Sequence, residues 1–158
     1  MILPINTDNK KVPTKIKSKS FVAEILTVKD VDEDYKNVIE NEKLIKRTRG
    51  SAGGWPNPKK LTLEENRIDL SWHQREFENN TSFAFVLKSR TGEYMGCAYL
   101  YPMNFRSKLP DAKKYEVDFS FWINGKFYDL GLYALIKGEW MEILKKMGFK
   151  KIYYSNKI

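Results

Sequence analysis

The chain has 158 residues, of which 42% are hydrophobic and 14% aromatic, and it carries a formal net charge of +8. These values are typical of one folded domain, and they exclude wholesale disorder. A single cysteine, Cys97, excludes an intrachain disulfide and a cysteine-based metal cluster.

The location of the protein follows from its apolar segments. No apolar run is long enough to span a bilayer, and the first residues, MILPINTDNKK, hold too short an apolar stretch for a secretory signal. We therefore expect a cytoplasmic protein with no membrane partner. The only histidine, His73, has no accompanying ligand motif, and we expect no metal.

Residues 1–20 are polar and rich in lysine, which predicts a basic, extended N-terminal arm ahead of one domain over residues 21–158. The charge would suit an anionic partner. No base-reading motif accompanies the lysines, so nucleic acid is disfavoured as the main partner.

The first half of the domain alternates strand and helix patterns. A short strand is predicted at Phe21–Leu26, followed by a helix from Asp30 to Thr48 with an acidic first turn and a basic last turn. Residues 49–60 hold three glycines and two prolines and predict a loop, in which Trp55 requires a pocket.

A second helix is predicted from the capping box of Thr62 and Glu65 to about Asn79. His73 lies near its apolar side, where a structural role is favoured over substrate binding or proton transfer. Residues 82–89 and 94–101 then form a predicted hairpin, with Gly96 marking a bulge or a close backbone approach.

The most informative stretch runs from residue 115 to residue 148. Apolar and polar residues alternate from Tyr115 to Asn124, which predicts a strand with one apolar face and one face open to water, a partner or a ligand. Apolar residues recur every three or four positions from 132 to 147 and predict a helix, with Asp129 as its N-cap and Gly148 as its C-cap. Backbone amides at the start of such a helix can hold an anion.

One more strand, residues 150–155, completes an α/β (α+β) domain with about five strands and three helices. The sheet is expected to be mixed and mostly antiparallel, with one parallel crossover at the end.

Several motifs resemble those of a short subgroup of GNAT acetyltransferases, and they occur in the same order. They are Trp55-Pro56, LTLEEN from Leu61, DLSWHQREF from Asp69, SFAF from Ser82, GCAYLYP from Gly96, and the strand end Trp122-Ile123-Asn124. The resemblance implies a GNAT-like fold and the transfer of an acetyl group from acetyl-CoA to an amine of a small molecule or peptide.

The resemblance also implies a cofactor site. The backbone of Trp122, Ile123 and Asn124 would bind pantetheine, and residues 128–133 align with the pyrophosphate-binding Q/R-x-x-G-x-G/A loop. The loop is degenerate. It keeps its first glycine as Gly131, followed by Leu132, but Tyr128 and Tyr133 replace the other motif residues. Asp129 would repel the pyrophosphate, which Lys126 could partly offset.

For the chemistry, Asp118 occupies the position of a glutamate common in these enzymes, and Glu116 lies two residues before it. Either could accept the proton of the amine, although a plain solvent-facing polar edge explains them equally well. Trp55, His73, Tyr99 and Tyr101 are the candidate acceptor-binding residues. A GNAT-like binding module without catalysis is the alternative function. We also expect a homodimer, paired through an exposed last strand.

Overall fold

A six-stranded sheet forms the centre of the fold, and its strands follow the order β1 to β6. The computed structural model describes residues 1–158. The strands are β1 (Lys15–Lys17), β2 (Val22–Ile25), β3 (Phe83–Lys88), β4 (Tyr94–Tyr101), β5 (Val117–Ile123) and β6 (Ile152–Tyr154). The helices are α1 (Val31–Glu40), α2 (Glu42–Thr48), α3 (Leu63–Glu78), α4 (Gly125–Asp129) and α5 (Tyr133–Met147).

The pairing confirms the predicted mixed sheet. Neighbouring strands are antiparallel from β1 to β5, and only β5 and β6 run parallel, joined by the crossover through α5. The predicted counts of about five strands and three helices were low. The helix predicted over residues 30–48 divides at Asn41 into α1 and α2, and the short helix α4 precedes α5.

The segment predicted as an N-terminal arm lies against the domain. Leu3 forms an isolated bridge with Met103, and Ile5 and Ile16 are buried. Within this segment, β1 supplies the strand that the sequence pattern did not predict, at the sheet edge beside β2.

Helix α5 packs on one face of β5, and the polar face, which was expected to meet water, a partner or a ligand, is shielded from bulk solvent at Asp118 and Ser120. Trp140 of α5 packs on Phe119 at a ring-centroid distance of 5.5 Å on one side. On the other side, toward α1 and α3, Asp118 is 1% exposed and Ser120 is fully buried. Polar side chains of β5 are therefore held within the protein, where they need polar partners.

Two glycine predictions are confirmed. A Cβ on Gly96 would lie 2.0 Å from the carbonyl oxygen of Trp122, so only glycine permits β4 and β5 to approach this closely. Gly148 ends α5 in the left-handed conformation, with φ of 107°. No helix of the structure combines the length and apolar character needed to cross a membrane.

Candidate active site

The N-terminus of α5 lacks the predicted cap. Asp129 is the exposed last residue of α4, and no side chain caps α5, whose N-cap residue is Leu132. The reason is local. Asn124 starts α4 by accepting a hydrogen bond from the amide of Phe127, so Asp129 belongs to α4 and is not available to cap α5. The prediction that Asp129 caps α5 was therefore wrong.

This uncapped end leaves backbone donors available. The amides of Tyr133, Ala134 and Leu135 donate to no protein group. Gly131, just before them, has φ of 78°, is exposed, and has no atom within 4 Å of the position a Cβ would take. The turn therefore requires glycine-like freedom, and it is open to an approaching anion.

Side chains around this turn are engaged elsewhere. Lys126 binds Glu93 with an N–O distance of 2.6 Å, so its ammonium group is already paired. Tyr128 is half-buried, with the guanidinium of Arg47 5.4 Å from its ring centroid. Leu132 packs against the core. The donors at this turn are therefore backbone groups rather than charged side chains.

In the C-terminal part of β5, one side chain occupies the edge of the strand that faces β6. Regular pairing with β6 ends at Phe119 and Tyr154. Beyond it, the amide of Phe121 donates to Oδ1 of Asn156 at 3.0 Å, and Nδ2 of Asn156 donates to the carbonyl of Phe121 at 2.9 Å. The same Nδ2 reaches the hydroxyl of Tyr133 at 2.6 Å. The side-chain amide thus occupies the edge of β5 as another peptide group would.

The three residues proposed for pantetheine lie at this end of β5. The indole of Trp122 points to the opposite face, where it donates to the hydroxyl of Tyr99 at 3.0 Å. Ile123 is buried opposite Gly96. Asn124 is held by Asn37 and by the carbonyl of Tyr94. Contact with a ligand here would involve backbone groups.

A cavity of about 190 Å³ lies on the α1 and α3 side of the sheet. All four candidate acceptor residues, Trp55, His73, Tyr99 and Tyr101, line it. The rings of Tyr99 and Tyr101 stack at 5.4 Å, and His73 lies 6.2 Å from Tyr101. The structure therefore brings together residues that are 46 positions apart in the sequence, between Trp55 and Tyr101.

The cavity also contains four ionisable residues that the sequence pattern did not indicate: Arg49, Arg106, Asp34 and Asp69. Arg49 directly follows the basic last turn of α2, so it was indistinguishable from a solvated helix end. Arg106 comes from the loop after β4, where no local pattern marks a buried arginine.

His73 is neutral at physiological pH. Burial, helped by the nearby charge of Arg49, lowers its pKa from 6.5 to about 4. Its Nδ1 lies 3.8 Å from Glu76, but a neutral imidazole forms no ion pair there, and that nitrogen has no hydrogen-bond partner. His73 can therefore act as a neutral polar contact in the cavity.

The two candidate catalytic carboxylates are not brought together. Glu116 accepts hydrogen bonds from the amides of Lys150 and Lys151 and pairs with Lys10 at 3.2 Å. Burial acts to raise the pKa of Glu116, but the two backbone amides and the Lys10 ammonium group together outweigh it and hold the pKa below its usual value. These contacts anchor the turn before β6.

Asp118 lies deeper, behind the cavity. Burial raises its pKa, while a hydrogen bond from Ser155 and the charge of Arg106 partly oppose the shift. Ser155 donates to Asp118 and accepts a hydrogen bond from Arg106 at 2.8 Å. A polar chain therefore connects the Asp118 carboxylate to a residue that lines the cavity.

Comparison with known proteins identifies the fold. No protein-family model matches the sequence, and no match is found among curated proteins. Solved acetyltransferase structures do share the architecture. One is the ribosomal L7/L12 alpha-N-protein acetyltransferase RimL in complex with coenzyme A, with a TM-score of 0.53 and 14% identity, over 73% of this chain and 56% of that one.

Two further structures extend the comparison. An acetyltransferase from Salmonella typhimurium that modifies the N-terminal serine of ribosomal protein L7/L12 has a TM-score of 0.60 and 11% identity, over 84% of this chain and 67% of that one. The microcin C7 self immunity acetyltransferase MccE, in complex with acetyl-CoA and AMP, has a TM-score of 0.62 and 14% identity, over 87% and 70%. The chain therefore has the GNAT acetyltransferase fold, and it spans between 56% and 70% of the length of these three proteins.

Proposed function

We propose that the protein is an acetyl-CoA-dependent N-acetyltransferase that acts on an amine of a small molecule or peptide. The observation that carries this proposal is the uncapped N-terminus of α5, which presents free backbone amides beside Gly131 in a fold shared with acetyltransferases bound to coenzyme A. Anions bind favourably at such a helix end.

Different backbone groups would bind the pyrophosphate and the pantetheine parts of the cofactor. The amides of Tyr133, Ala134 and Leu135 would hold the pyrophosphate, and the open turn at Gly131 would let it approach. The edge of β5 at Phe121 demonstrably accepts an amide group, because the side chain of Asn156 bonds to both its N–H and its C=O. A pantetheine amide would make the same pair of bonds in place of Asn156.

When bound, the cofactor supplies an activated acetyl group, and the protein's task is to orient and deprotonate the amine. We propose Asp118 as the final proton acceptor, reached through the hydroxyl of Ser155. Its raised pKa brings a carboxylate closer to the operating range of a general base. Glu116 is already saturated by two amides and a lysine, which favours Asp118 for this role.

The aromatic cavity would receive the acceptor. It adjoins the α1 and α3 side of β4 and β5, whereas α5 packs on the other face of the sheet. This separation lets the acceptor and the cofactor approach from different sides. A binding module without catalysis would need no open helix end, so the free amides favour the transferase.

Calorimetric titration with acetyl-CoA tests the proposal. We expect saturable binding to the unmodified protein and weaker binding to Gly131→Val, because a side chain there obstructs the turn and strains a residue with positive φ. Gly92→Val is a matched control, since Gly92 has φ of 89° and equally open surroundings but lies in the hairpin between β3 and β4.

The control should lose a similar amount of stability and keep its affinity for acetyl-CoA. The absence of heat and of a thermal shift at millimolar acetyl-CoA would contradict the proposed function.

A further inference from the structure

The cavity contains two arginines, Arg49 and Arg106, that form no ion pair with a carboxylate. Arg49 is 6% exposed, and its Nε donates to the hydroxyl of Ser120 at 3.0 Å. Its guanidinium carbon lies 4.3 Å from the ring centroid of Tyr99 and 5.5 Å from that of Trp55. Neither terminal nitrogen of Arg49 donates to a protein group, although each is a strong donor.

Arg106 reinforces this positive charge. It donates to Ser155 at 2.8 Å and to the backbone carbonyl of Arg49 at 3.4 Å. Burial and the neighbouring charge of Arg49 lower the pKa of Arg106 to about 10, and the side chain remains cationic at pH 7. Of the eight ion pairs between a lysine or arginine and a carboxylate, none includes Arg49 or Arg106.

Three carboxylates lie in or behind the cavity, those of Asp34, Asp69 and Asp118, and none of them is within ion-pair distance of either arginine. Asp34 accepts hydrogen bonds from Tyr94, Asn66 and Cys97, and burial raises its pKa. Asp69, on α3, also has a pKa raised by burial and then by neighbouring carboxylates. Asp118 is linked to Arg106 through Ser155, and the charges of Arg106 and Arg49 oppose the rise of the Asp118 pKa without direct contact.

Neutral His73 adds no positive charge to the cavity. Its role there is that of a hydrogen-bonding group without a partner.

A buried guanidinium without a counter-ion is costly to the folded protein, and the cost falls when an anion binds to it. The planar donor fork of arginine matches carboxylate and phosphate groups, which it binds with two parallel hydrogen bonds. The rings of Tyr99 and Trp55 lie against the guanidinium of Arg49 and limit its orientation. The arrangement is therefore suited to one small anionic group.

We propose that Arg49 and Arg106 form a recognition site for a carboxylate or phosphate group of the acceptor, so that the enzyme selects amines that also carry an anion. This proposal rests on the proposed transferase function for its biological role, but the anion site itself is independent of acetyl-CoA. Trp55, Tyr99 and Tyr101 add a preference for a planar or aromatic body next to the anion.

The size of the cavity limits the ligand. About 190 Å³ is below the range of roughly 300–1,000 Å³ of sites for drug-sized ligands. The cavity therefore accommodates a small head group, and a larger acceptor would extend out of it past the exposed ring of Phe105.

Two probes distinguish the possible anions: inorganic phosphate and benzoate. Each is titrated into the ¹⁵N-labelled full-length chain at pH 7 and constant ionic strength, while the amide and arginine Nε–H resonances are followed by NMR. We expect saturable shifts at Arg49 and Arg106 for at least one probe. Tighter binding of phosphate would indicate a phosphorylated acceptor, and tighter binding of benzoate a carboxylated one.

Variants test whether the arginines carry the binding. Arg49→Gln and Arg106→Gln should each weaken the probe at least about tenfold, the loss expected for a charge-assisted hydrogen bond. Arg106 is half-buried, so its variant remains informative if Arg49→Gln fails to fold. Arg67→Gln, on the exposed surface of α3, removes the same charge and should leave the affinity unchanged.

The proposal would be overturned if neither probe bound saturably to the unmodified chain, or if Arg67→Gln weakened binding as much as Arg49→Gln. Acetyl-CoA titration is measured separately. Binding of the anion without binding of acetyl-CoA would support the anion site and contradict the proposed function. Binding of acetyl-CoA without binding of the anion would support the proposed function and contradict the anion site.

Discussion

Asn156→Ala should weaken the fold and strengthen cofactor binding at the same time. In the structure the side-chain amide of Asn156 makes two hydrogen bonds to the backbone of Phe121, at 3.0 and 2.9 Å. A pantetheine amide that uses the same edge must first displace it. Removing the side chain eliminates this competition.

The magnitude follows from those two bonds. Each contributes about 0.5–1.5 kcal/mol net, or about 1–3 kcal/mol together, which corresponds to roughly 5- to 150-fold in an equilibrium constant. We therefore expect Asn156→Ala to bind coenzyme A about 5- to 150-fold more tightly. The free energy of unfolding should fall by at least about 1–3 kcal/mol, because the same bonds stabilise the folded protein and the bond from Nδ2 to the hydroxyl of Tyr133 is lost with them.

Isothermal titration with coenzyme A and urea unfolding measure the two effects on the same preparations. Asn41→Ala is the matched control, because Asn41 also uses its side-chain amide structurally, accepting from the amide of Gly125 at 2.8 Å and donating to the carbonyl of Asn37 at 2.8 Å. It should lose stability without gaining affinity. If Asn156→Ala loses stability but binds coenzyme A no more tightly, the edge of β5 at Phe121 is not the cofactor's binding edge.

Three further substitutions test separate parts of the structure. Asp118→Asn should lower kcat by about 10²- to 10⁴-fold and leave the affinity for acetyl-CoA unchanged, as expected for loss of a general base; unchanged kcat would remove Asp118 from the mechanism. In the unmodified protein, unfolding raises the pKa of His73 from about 4 to 6.5, so the unfolded chain binds a proton and the folded state loses about 3 kcal/mol of stability as the pH falls from 6.5 to 4. His73→Gln should abolish this loss. Equal pH profiles of the two proteins in urea unfolding would contradict the buried neutral histidine. Gly96→Ala should lower the free energy of unfolding by more than about 1–3 kcal/mol, because its Cβ would meet backbone rather than a flexible side chain, and a near-normal melting temperature would contradict the close approach of β4 and β5.

The fold was largely predictable because its main signals are local. The alternation of β5, the apolar stripe of α5 and the hairpin of β3 and β4 each follow from periodicity within a short stretch. Strand β1 was missed because Lys15–Lys17 has two lysines around one apolar residue, and only its position beside β2 makes it a strand.

The site was less predictable because it depends on contacts between distant segments. Arg49 and Ser120 are 71 positions apart, and their hydrogen bond is determined by how α2 packs on β5. Asn156 follows α5 and β6 in the sequence, and its contact with the edge of β5 is not indicated by any periodic pattern. Asp129 was misassigned as a cap because the sequence does not show that α4 interrupts the connection between β5 and α5.

The central claim is that the amides at the start of α5 bind the pyrophosphate of acetyl-CoA. A crystal structure of the protein soaked with coenzyme A tests it most directly. We predict density for the pyrophosphate within hydrogen-bond distance of the amides of Tyr133, Ala134 and Leu135, with Asn156 displaced from Phe121. Coenzyme A bound elsewhere, or density for Asn156 unchanged beside an empty helix end at saturating ligand, would contradict the claim.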